Sequence, residues 1–402
     1  MARRVTQGVL VLGGLILAAV LLHVAAGAGR LQARTPAGAA ARTSGTAPSI
    51  DTERVVRYIR EKFGVPDTVK LEVGPLENSS ALPGYYQAVV AVDYGEQAKG
   101  QNTKQPVLVS KDDRYLVVGS ALPLAAANSK TEIEKHVREM FKVPENMKLT
   151  VGASHASAFP SFSQFQVEVD DGKKKQNLDL YLANNGRVLV LGQIYTLTVD
   201  PRREALRTIS TQDQPAVGPA SAPVTIAEYA DLQCPTCAQL HEFIEKTLLP
   251  KYGDKIRLIF KEFPLPMHDW SAQAAIANEC AYQLDPSTFV GYRSLIFARQ
   301  SSFTVINVRD LLLQYGQEAG IDRLKLSACI DSKASQHRID ADKREADRLG
   351  VNKTPTSFVN GRIVVGMPPA DEFYKIVDAA LAEKPVKTEK PDKPEKKMQA
   401  KR

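Results

Sequence analysis

Two cysteines, Cys234 and Cys237, carry the clearest chemistry in this chain. They form the sequence Cys-Pro-Thr-Cys, which follows an apolar strand predicted for Val224–Tyr229. The residues after them place apolar side chains at helical spacing, at Leu240, Phe243, Ile244 and Leu248. The two thiols are therefore expected at the N-terminus of a helix. There, free N–H groups and the positive end of the helix dipole stabilise a thiolate on the first cysteine.

A Cys-x-x-Cys motif also occurs in zinc sites and in structural disulfides. The other two cysteines, Cys280 and Cys329, do not form a second such motif, and no pair of histidines has the spacing of zinc ligands. The strand-to-helix junction favours a redox pair over both alternatives. We therefore expect Cys234 and Cys237 to be redox-active, without a metal site and without a cofactor.

Length and charge limit the classes of function. The 402 residues leave room for two or three domains. The formal net charge is +7, and the segment Glu383–Arg402, with eight basic and four acidic residues, accounts for +4 of it. Residues 384–402, rich in Lys and Pro, are expected to be disordered, with weak contact to anionic lipid headgroups or wall polymers as the alternative. A basic face for nucleic acid is not implied.

Residues 1–28 have the pattern of a signal peptide or a membrane anchor. Arg3 and Arg4 precede an apolar run from Val9 to Ala26, whose length lies at the border between the two. In both arrangements the basic end stays in the cytoplasm and the rest is exported. We expect a periplasmic or extracytoplasmic protein, with N-terminal contact to the inner membrane left open. Residues 29–49, rich in Ala, Gly, Thr and Ser, are predicted to be a flexible linker.

An internal repeat fills the next part of the chain. The segment Ile59–Gly74 aligns with Val137–Gly152, which predicts two copies at residues 50–124 and 125–200. Each copy has the pattern of an amphipathic helix followed by several antiparallel strands. Neither copy contains a cysteine or another chemical signature. The copies are expected to be a scaffold, a spacer or a binding surface.

The cysteine pair lies in a separate C-terminal region. A linker is predicted for residues 201–222, and a domain for residues 223–383. A long helical insertion at residues 268–350 separates its first strand–helix–strand unit from its last elements. Those elements are two strands joined at Asn360–Gly361, a strong hairpin signal, and a helix at Pro369–Ala382.

Residues 215–382 resemble the thioredoxin-fold, DsbA-like thiol–disulfide oxidoreductases. The resemblance rests on the cysteine motif after a strand, the long helical insertion, and the sequence Gly350–Gly361. It implies that Pro355 forms a cis peptide bond beside the disulfide, with a trans proline as the alternative. It also implies that Thr354 faces a bound peptide, together with Pro235 and Thr236.

The same resemblance implies roles for three further residues. Glu228, six residues before the first cysteine, matches a buried acid that takes up or passes the proton of the second thiol. An exposed strand glutamate is the alternative. Cys280 and Cys329 match a structural disulfide of the insertion, with two free buried cysteines as the alternative.

Histidines near the motif are interpreted without a catalytic role. His241, one turn past Cys237, is expected at the surface. His268, Asp269 and Trp270 begin the insertion and are expected either to form a substrate rim or to cap a helix.

The expected fold is an α/β thioredoxin-like fold with a helical insertion, preceded by two tandem α+β repeats. The repeats weakly resemble the N-terminal domain of the DsbC/DsbG disulfide isomerases, at Leu82–Tyr85 and Asp113–Gly119. Two tandem copies are a departure from that family.

The DsbA-like resemblance implies an exported enzyme that oxidises cysteine-containing exported proteins. A membrane protein of the DsbB or VKOR type would then reoxidise it. The best-known strong oxidant of the family has Pro-His between its cysteines, whereas Pro235-Thr236 carries no charge. The direction of electron flow therefore stays open. The alternative is a disulfide isomerase or reductase, which in the manner of DsbC would be a dimer. A non-catalytic binding or chaperone protein is the third hypothesis.

Overall fold

The computed structural model describes residues 50–95, 102–172 and 175–383. The predictions for residues 1–28, 29–49 and 384–402 lie outside these ranges. The chain divides into two compact units: one runs to Pro201 and includes residues 351–353, and the other contains residues 202–350 and those from Thr354 onward. Among the described residues, no helix combines the length and the apolar character that crossing a membrane requires.

The first unit contains two long helices and an antiparallel sheet. The helices are α1 (Thr52–Phe63) and α2 (Lys130–Phe141). The strands of its first half are β1 (Lys70–Val73), β2 (Glu77–Asn78), β3 (Tyr85–Asp93), β4 (Thr103–Ser110) and β5 (Tyr115–Pro123). The strands of its second half are β6 (Lys148–Val151), β7 (His155–Ala156), β8 (Phe162–Asp170), β9 (Lys175–Ala183) and β10 (Val188–Thr196). Both halves thus follow the same order of one helix and five strands.

The two halves share one continuous sheet. Its strand order is β1-β3-β4-β5-β10-β9-β8-β6, so that β5 and β10 pair at the centre. They are antiparallel over nine residues, with Gly119 opposite Gly192. A Cβ atom on Gly119 would overlap the backbone oxygen of Leu191, and one on Gly192 that of Val118. Glycine therefore permits the close approach of the two central strands.

The two helices of this unit begin and end in matching ways. Asp51 caps α1 by accepting a hydrogen bond from the Arg54 N–H, and Ser129 caps α2 in the same manner. The chain leaves α1 through Gly64 and α2 through Lys142, both in the left-handed conformation. Each helix packs on its own half of the sheet through separate apolar clusters.

The second unit is a mixed sheet surrounded by helices. Its strands are β11 (Ala216–Val217), β12 (Val224–Ala230), β13 (Ile256–Glu262), β14 (Thr356–Val359) and β15 (Arg362–Val365). The helices before and beside the sheet are α3 (Pro201–Thr208), α4 (Pro235–Phe243), a π-helical turn at Ile244–Leu248, α5 (Leu249–Tyr252) and the C-terminal α11 (Ala370–Ala382). The helices between β13 and β14 are α6 (Ser271–Leu284), α7 (Phe289–Ala298), α8 (Val308–Glu318), α9 (Arg323–Ser332) and α10 (Gln336–Leu349).

The topology of this sheet is that of a thioredoxin-like fold. The strand order is β11-β13-β12-β14-β15, with β12 parallel to β13 and antiparallel to β14. The central strand β12 is buried almost throughout its length. Its C-terminal end leads into the cysteine helix α4, and its neighbour β14 begins directly after Pro355. The cysteines and Pro355 are thereby brought to the same end of the sheet.

The linker predicted for residues 201–222 is wrong. This segment forms α3 and the short strand β11, which pairs antiparallel with β13. Pro201 occupies the first position of α3, where its missing N–H costs nothing and its fixed φ favours the helix. Arg202 Nε then donates a hydrogen bond of 2.8 Å to the Asn360 carbonyl oxygen. The Pro-rich composition that suggested a linker instead marks the boundaries of two short elements.

Candidate active site

Cys234 occupies the N-cap position of α4, and Pro235 is the first residue of that helix. The structure holds both cysteines of the motif as free thiols. A hydrogen bond from the Cys237 thiol is the largest cause that lowers the pKa of Cys234 to about 5. The Thr354 contact and the backbone N–H groups of Cys237 and Thr236 lower it further, while partial burial opposes them. The helix start thus stabilises a thiolate on Cys234.

Cys237 has the opposite environment. Its side chain is fully buried, and burial raises its pKa well above the ordinary value. The hydrogen bond to Cys234 and the negative charge of Glu228 act in the same direction. The Asp231 backbone N–H is 3.4 Å from the Cys237 sulfur and opposes them. The pair therefore consists of one ionised and one protonated thiol.

Pro355 and Thr354 lie beside the first cysteine. The Thr354–Pro355 peptide bond is cis. The Cys234 sulfur lies 3.4 Å from the Thr354 carbonyl oxygen, which can accept a hydrogen bond when this thiol is protonated. Pro355 is buried, whereas Pro235 is exposed and Thr236 is half-buried. The structure thus places near Cys234 the four residues that the resemblance associated with a bound peptide or the disulfide, which are Pro235, Thr236, Thr354 and Pro355.

Glu228 lies inside the domain, and the alternative of an exposed strand residue is wrong. Its side chain is fully buried, and neither carboxylate oxygen has a hydrogen-bond partner among the described residues. Burial raises the pKa of this carboxyl group, while the Arg293 guanidinium, 3.8 Å away, lowers it. A carboxyl group in this environment can hold a proton near the buried Cys237 thiol.

Cys280 and Cys329 are joined by a disulfide bond, with 5.9 Å between their Cα atoms. The alternative of two free cysteines does not hold in the structure. The bond links α6 to α9 within the helical insertion. Cys280 belongs to the same apolar cluster as Cys237, so the disulfide stabilises the region that packs against the cysteine helix.

The prediction that His241 lies at the surface is wrong. Only 4% of this residue is exposed, and its Nε2 atom is 2.9 Å from the Ser294 hydroxyl oxygen. Burial lowers the pKa of His241 to about 3, so its imidazole is neutral. The reason is tertiary: α7 of the insertion covers this face of α4, and the sequence of α4 alone does not reveal that cover.

The loop that begins the insertion is attached to the cysteine loop. Gln233 Nε2 donates to Asp269 Oδ1 at 2.9 Å, and the Trp270 N–H donates to Gln233 Oε1 at 2.9 Å. His268 Nδ1 is 2.8 Å from Asp231 Oδ2. His268, Asp269 and Trp270 therefore hold two loops together. Trp270 is also the N-cap residue of α6, although its side chain makes no capping hydrogen bond, and a substrate rim stays a prediction.

Four polar residues of the site were missed at the sequence level. Asp231 and Gln233 lie in the loop between β12 and α4, where polar residues directly before the motif were the available signal. Gln300, in the insertion, donates to the carbonyl oxygens of Leu232 at 2.7 Å and of Cys234 at 3.1 Å. Neither Gln300 nor Arg293 stands near the motif in sequence.

A second buried acid shares Arg293 with Glu228. Arg293 Nη1 is 2.8 Å from Glu262 Oε1, and both side chains are almost completely buried. The guanidinium carbon also lies 5.0 Å from the ring centroids of Phe260 and Phe297. Burial raises the pKa of Glu262 to about 8, although the Arg293 charge lowers it. The Arg293 guanidinium thus lies near two carboxyl groups, and burial favours the protonated form of each.

Comparison with known proteins matches residues 210–379 to a family described as thioredoxin. The Na⁺/H⁺ antiporter NhaA 3 of Salinispora tropica is 32% identical over 165 residues, which are 41% of this chain and 22% of the antiporter. A probable disulfide bond formation protein D of Bacillus cereus is 28% identical over 200 residues, which are 48% of this chain and 91% of the relative. Oxidised BdbD from Bacillus subtilis, a solved structure, is 23% identical with a TM-score of 0.40, covering 43% of this chain and 95% of that one.

The extent of these matches differs between the relatives. The chain spans 22% to 26% of the length of the first NhaA antiporters it matches. It spans nearly the whole of the Bacillus cereus relative. In every case the similar part is less than half of this chain.

Proposed function

We propose that this protein is an exported thiol–disulfide oxidoreductase of the DsbA type. The match of residues 210–379 to a family described as thioredoxin, and the Cys-Pro-Thr-Cys motif at the start of α4, support this proposal. Its substrates are exported proteins with cysteine pairs, and its reactive group is the Cys234–Cys237 pair. In the direction that we propose, the enzyme disulfide oxidises the substrate.

The observation that carries this proposal is the difference between the two thiols. Cys234 has a pKa lowered to about 5, whereas burial keeps Cys237 protonated. A stabilised thiolate is a good leaving group, and its stabilisation favours the reduced form of the enzyme. An enzyme whose reduced form is favoured withdraws electrons from its substrates, which supports the oxidase direction over the reductase one.

The cycle begins from the oxidised pair. A substrate thiolate attacks the Cys234 sulfur, the Cys234–Cys237 bond breaks, and Cys237 leaves as a thiolate that takes a proton. A second substrate thiolate then attacks the substrate sulfur of the mixed disulfide and releases the Cys234 thiolate. The substrate loses two electrons in forming its disulfide, and the enzyme gains them. An oxidant of the class of quinone-linked membrane proteins, such as DsbB or VKOR, returns the dithiol to the disulfide.

Glu228 is proposed to supply the proton for Cys237. Its carboxyl group is fully buried, burial raises its pKa, and its negative charge raises the pKa of Cys237. The proton moves from the carboxyl group to the departing Cys237 thiolate, and Arg293 then balances the carboxylate that remains. On reoxidation the proton returns by the same route. Thr354 and Pro355 are proposed to face the substrate peptide beside Cys234.

Export and membrane contact are proposed from the N-terminal sequence. The basic residues and apolar run of residues 1–28 support transfer of the folded units out of the cytoplasm, with the segment either cleaved or kept as an inner-membrane anchor. The compartment outside the cytoplasm is oxidising, which suits a disulfide-forming enzyme. The resemblance of residues 50–200 to DsbC/DsbG domains stays a prediction.

The reduction potential of the Cys234–Cys237 pair tests the proposed direction. The full chain is equilibrated with glutathione buffers, and the redox state of the pair is read by alkylation and mass spectrometry. We expect a value nearer to that of DsbA, about −120 mV, than to that of thioredoxin, about −270 mV. A value at the thioredoxin end contradicts the oxidase. An intermediate value, with reshuffling of scrambled ribonuclease by a dimer, supports the isomerase instead.

A further inference from the structure

Asp231 is a fully buried carboxylate at the junction between β12 and the cysteine loop. Its Oδ1 atom accepts a hydrogen bond of 2.7 Å from the Gln233 N–H. Its Oδ2 atom accepts one of 2.7 Å from the Leu265 N–H and lies 2.8 Å from His268 Nδ1. Its own backbone N–H reaches the Cys237 sulfur. Asp231 thus connects the cysteine pair directly to the imidazole of His268.

His268 is held at the edge of the site rather than inside it. Its side chain is 20% exposed, so the ring can exchange protons with solvent. The hydrogen bond to Asp231 is the largest cause that raises the pKa of His268, and negative charge on Cys234 also raises it, as does Asp269. The geometry places this ring at the cysteine loop: Asp231, which holds His268, has its backbone N–H 3.4 Å from the Cys237 sulfur. Gln233, the residue before Cys234, is hydrogen-bonded to Asp269 and Trp270, which follow His268 in the chain. A positive charge on His268 and a negative charge on the cysteine pair therefore favour each other.

We propose that His268, held in place by Asp231, is a positioning residue that provides a positive charge to the Cys234 thiolate and so stabilises the reduced pair. The loop before α6 thereby supplies the charge that the Pro235-Thr236 dipeptide lacks. The inference rests on the proposed function, since it assigns His268 a part in setting the direction of electron flow.

The negative charges that face His268 differ between the oxidised and the reduced enzyme. Asp231 and Asp269 face the imidazole from the cysteine loop and from its own loop, and Asp269 also accepts a hydrogen bond from Gln233. Cys234 is the third group, and it becomes negative only in the reduced enzyme. Cys237 stays protonated because burial raises its pKa. Charged His268 thus gains a partner each time the disulfide is reduced.

The effect has a defined pH dependence. The pKa of His268 is raised in the folded protein, so the positive charge is present at pH values below it and is lost as the pH rises through it. The Cys234 thiolate is stabilised by His268 only in the lower range. Above that pH, wild type and a variant with a neutral residue at position 268 should behave alike.

The test compares His268→Gln with wild type in the full chain. The thiolate of Cys234 is followed by its ultraviolet absorbance against pH, and the redox equilibrium is followed with glutathione buffers. We expect the pKa of Cys234 to rise by about one unit, and the equilibrium to shift about tenfold toward the disulfide form. A tenfold shift corresponds to about 30 mV for a two-electron couple. His268→Lys should retain most of the wild-type value because it retains the charge.

The matched control is His337→Gln. His337 is an exposed histidine of α10 whose ring nitrogen contacts the Ala334 carbonyl oxygen. Its replacement should leave the Cys234 pKa and the redox equilibrium unchanged. An unchanged Cys234 pKa in folded His268→Gln, or an equal shift in the control, overturns the inference.

A second measurement needs no variant. The pKa of His268 is determined by NMR in oxidised and reduced wild type, and it should be higher in the reduced enzyme, where the thiolate is present. Equal values in the two states overturn the inference even if His268→Gln does not fold. Both titrations are independent of substrate oxidation. A protein with a thioredoxin-like potential but a shifted Cys234 pKa in His268→Gln would therefore refute the oxidase and retain the role of His268.

Discussion

The two units of this protein differ in what their interiors contain. Among the described residues of the repeat unit, the buried polar side chains are uncharged, at Ser79, Thr103, Gln105 and Ser110. The redox unit buries a series of ionisable side chains, at Glu228, Asp231, His241, Lys261, Glu262, Glu279, Arg293, Asp342 and Glu345. Burying a charge costs free energy unless it is paired, and pairing seldom repays the whole cost. We infer that the redox unit retains these groups because its chemistry moves protons and the repeat unit has none to move.

The position of the buried charges supports this interpretation. The Asp231 N–H lies 3.4 Å from the Cys237 sulfur, and Arg293 is 3.8 Å from Glu228 and 2.8 Å from Glu262. In a second group, Lys261 is 3.1 Å from Asp342 and 2.8 Å from Glu345. The repeat unit instead obtains its order from apolar clusters and from close backbone approach at Gly119.

Cys234→Ser gives the largest expected effect. The reactive sulfur is removed, so thiol–disulfide exchange with glutathione and with a reduced protein substrate should be abolished. The companion variant Cys237→Ser keeps the nucleophile and should accumulate mixed disulfides, which mass spectrometry detects. Full exchange activity in Cys234→Ser would show that the cysteine pair is not the reactive group. The proposed chemical difference between the two units would then be wrong.

Arg293→Met should destabilise the redox unit by about 3–5 kcal/mol, because it removes the positive charge that faces two buried carboxyl groups, Glu228 and Glu262. The chain contains a single tryptophan, Trp270, which is buried in this unit, so its fluorescence in urea reports the unfolding of this unit. The control is Arg309→Met, which removes the exposed pair with Asp331 and should change the midpoint little. Equal losses of unfolding free energy in the two variants would show that the buried ion pairs contribute no more to stability than an exposed one.

Replacing both Cys280 and Cys329 with Ala should destabilise the redox unit by about 2–4 kcal/mol. The bond closes a loop with a sequence separation of 49 residues, so its removal increases the freedom of the unfolded chain. The midpoint from Trp270 fluorescence should fall, while the reduction potential of the Cys234–Cys237 pair should stay within error of wild type. A changed potential would assign the second disulfide to the chemistry rather than to stability.

Gly119→Ala should destabilise the repeat unit, with a backbone strain of about 1–3 kcal/mol and an added steric cost. Gly119 has a φ of 146°, and its new Cβ atom would overlap the Leu191 backbone. Gly84→Ala is the matched control, because Gly84 also has a positive φ, of 90°, but open space around it. Hydrogen exchange of the β5 and β10 amides should be faster in the first variant than in the control. Similar exchange rates in the two variants would show that the positive φ alone, and not the overlap with Leu191, causes the destabilisation.

Glu262→Gln should change the pH dependence of stability in the redox unit. Burial raises the pKa of Glu262 to about 8, so the unfolded chain loses this proton at lower pH than the folded protein does. The contribution of Glu262 therefore makes the wild type less stable as the pH rises from about 4.5 to about 8. The variant should show a flatter profile by Trp270 fluorescence over this range. An unchanged slope would mean that Glu262 is ionised in the folded protein.

The local elements of the redox unit could be predicted from the sequence because they depend on short-range patterns. Apolar residues placed the strand before Cys234 and the helix after Cys237, and Asn360–Gly361 marked the hairpin between β14 and β15. The secondary structure of residues 201–222 could not be predicted in this way. Its short helix and two-residue strand are too small for a periodic pattern, and pairing with β13 decides the strand.

The sequence by itself determined that Cys234 lies at a helix N-terminus, because two cysteines at a strand-to-helix junction specify that position, where a thiol is activated. The burial of His241, and the positions of Arg293 and His268 near the site, were decided only by the tertiary structure. They come from the insertion and from loops that are distant in sequence. Burial and charge coupling depend on distance in space, so the protonation states around Cys234-Pro-Thr-Cys237 follow from the fold and not from the motif.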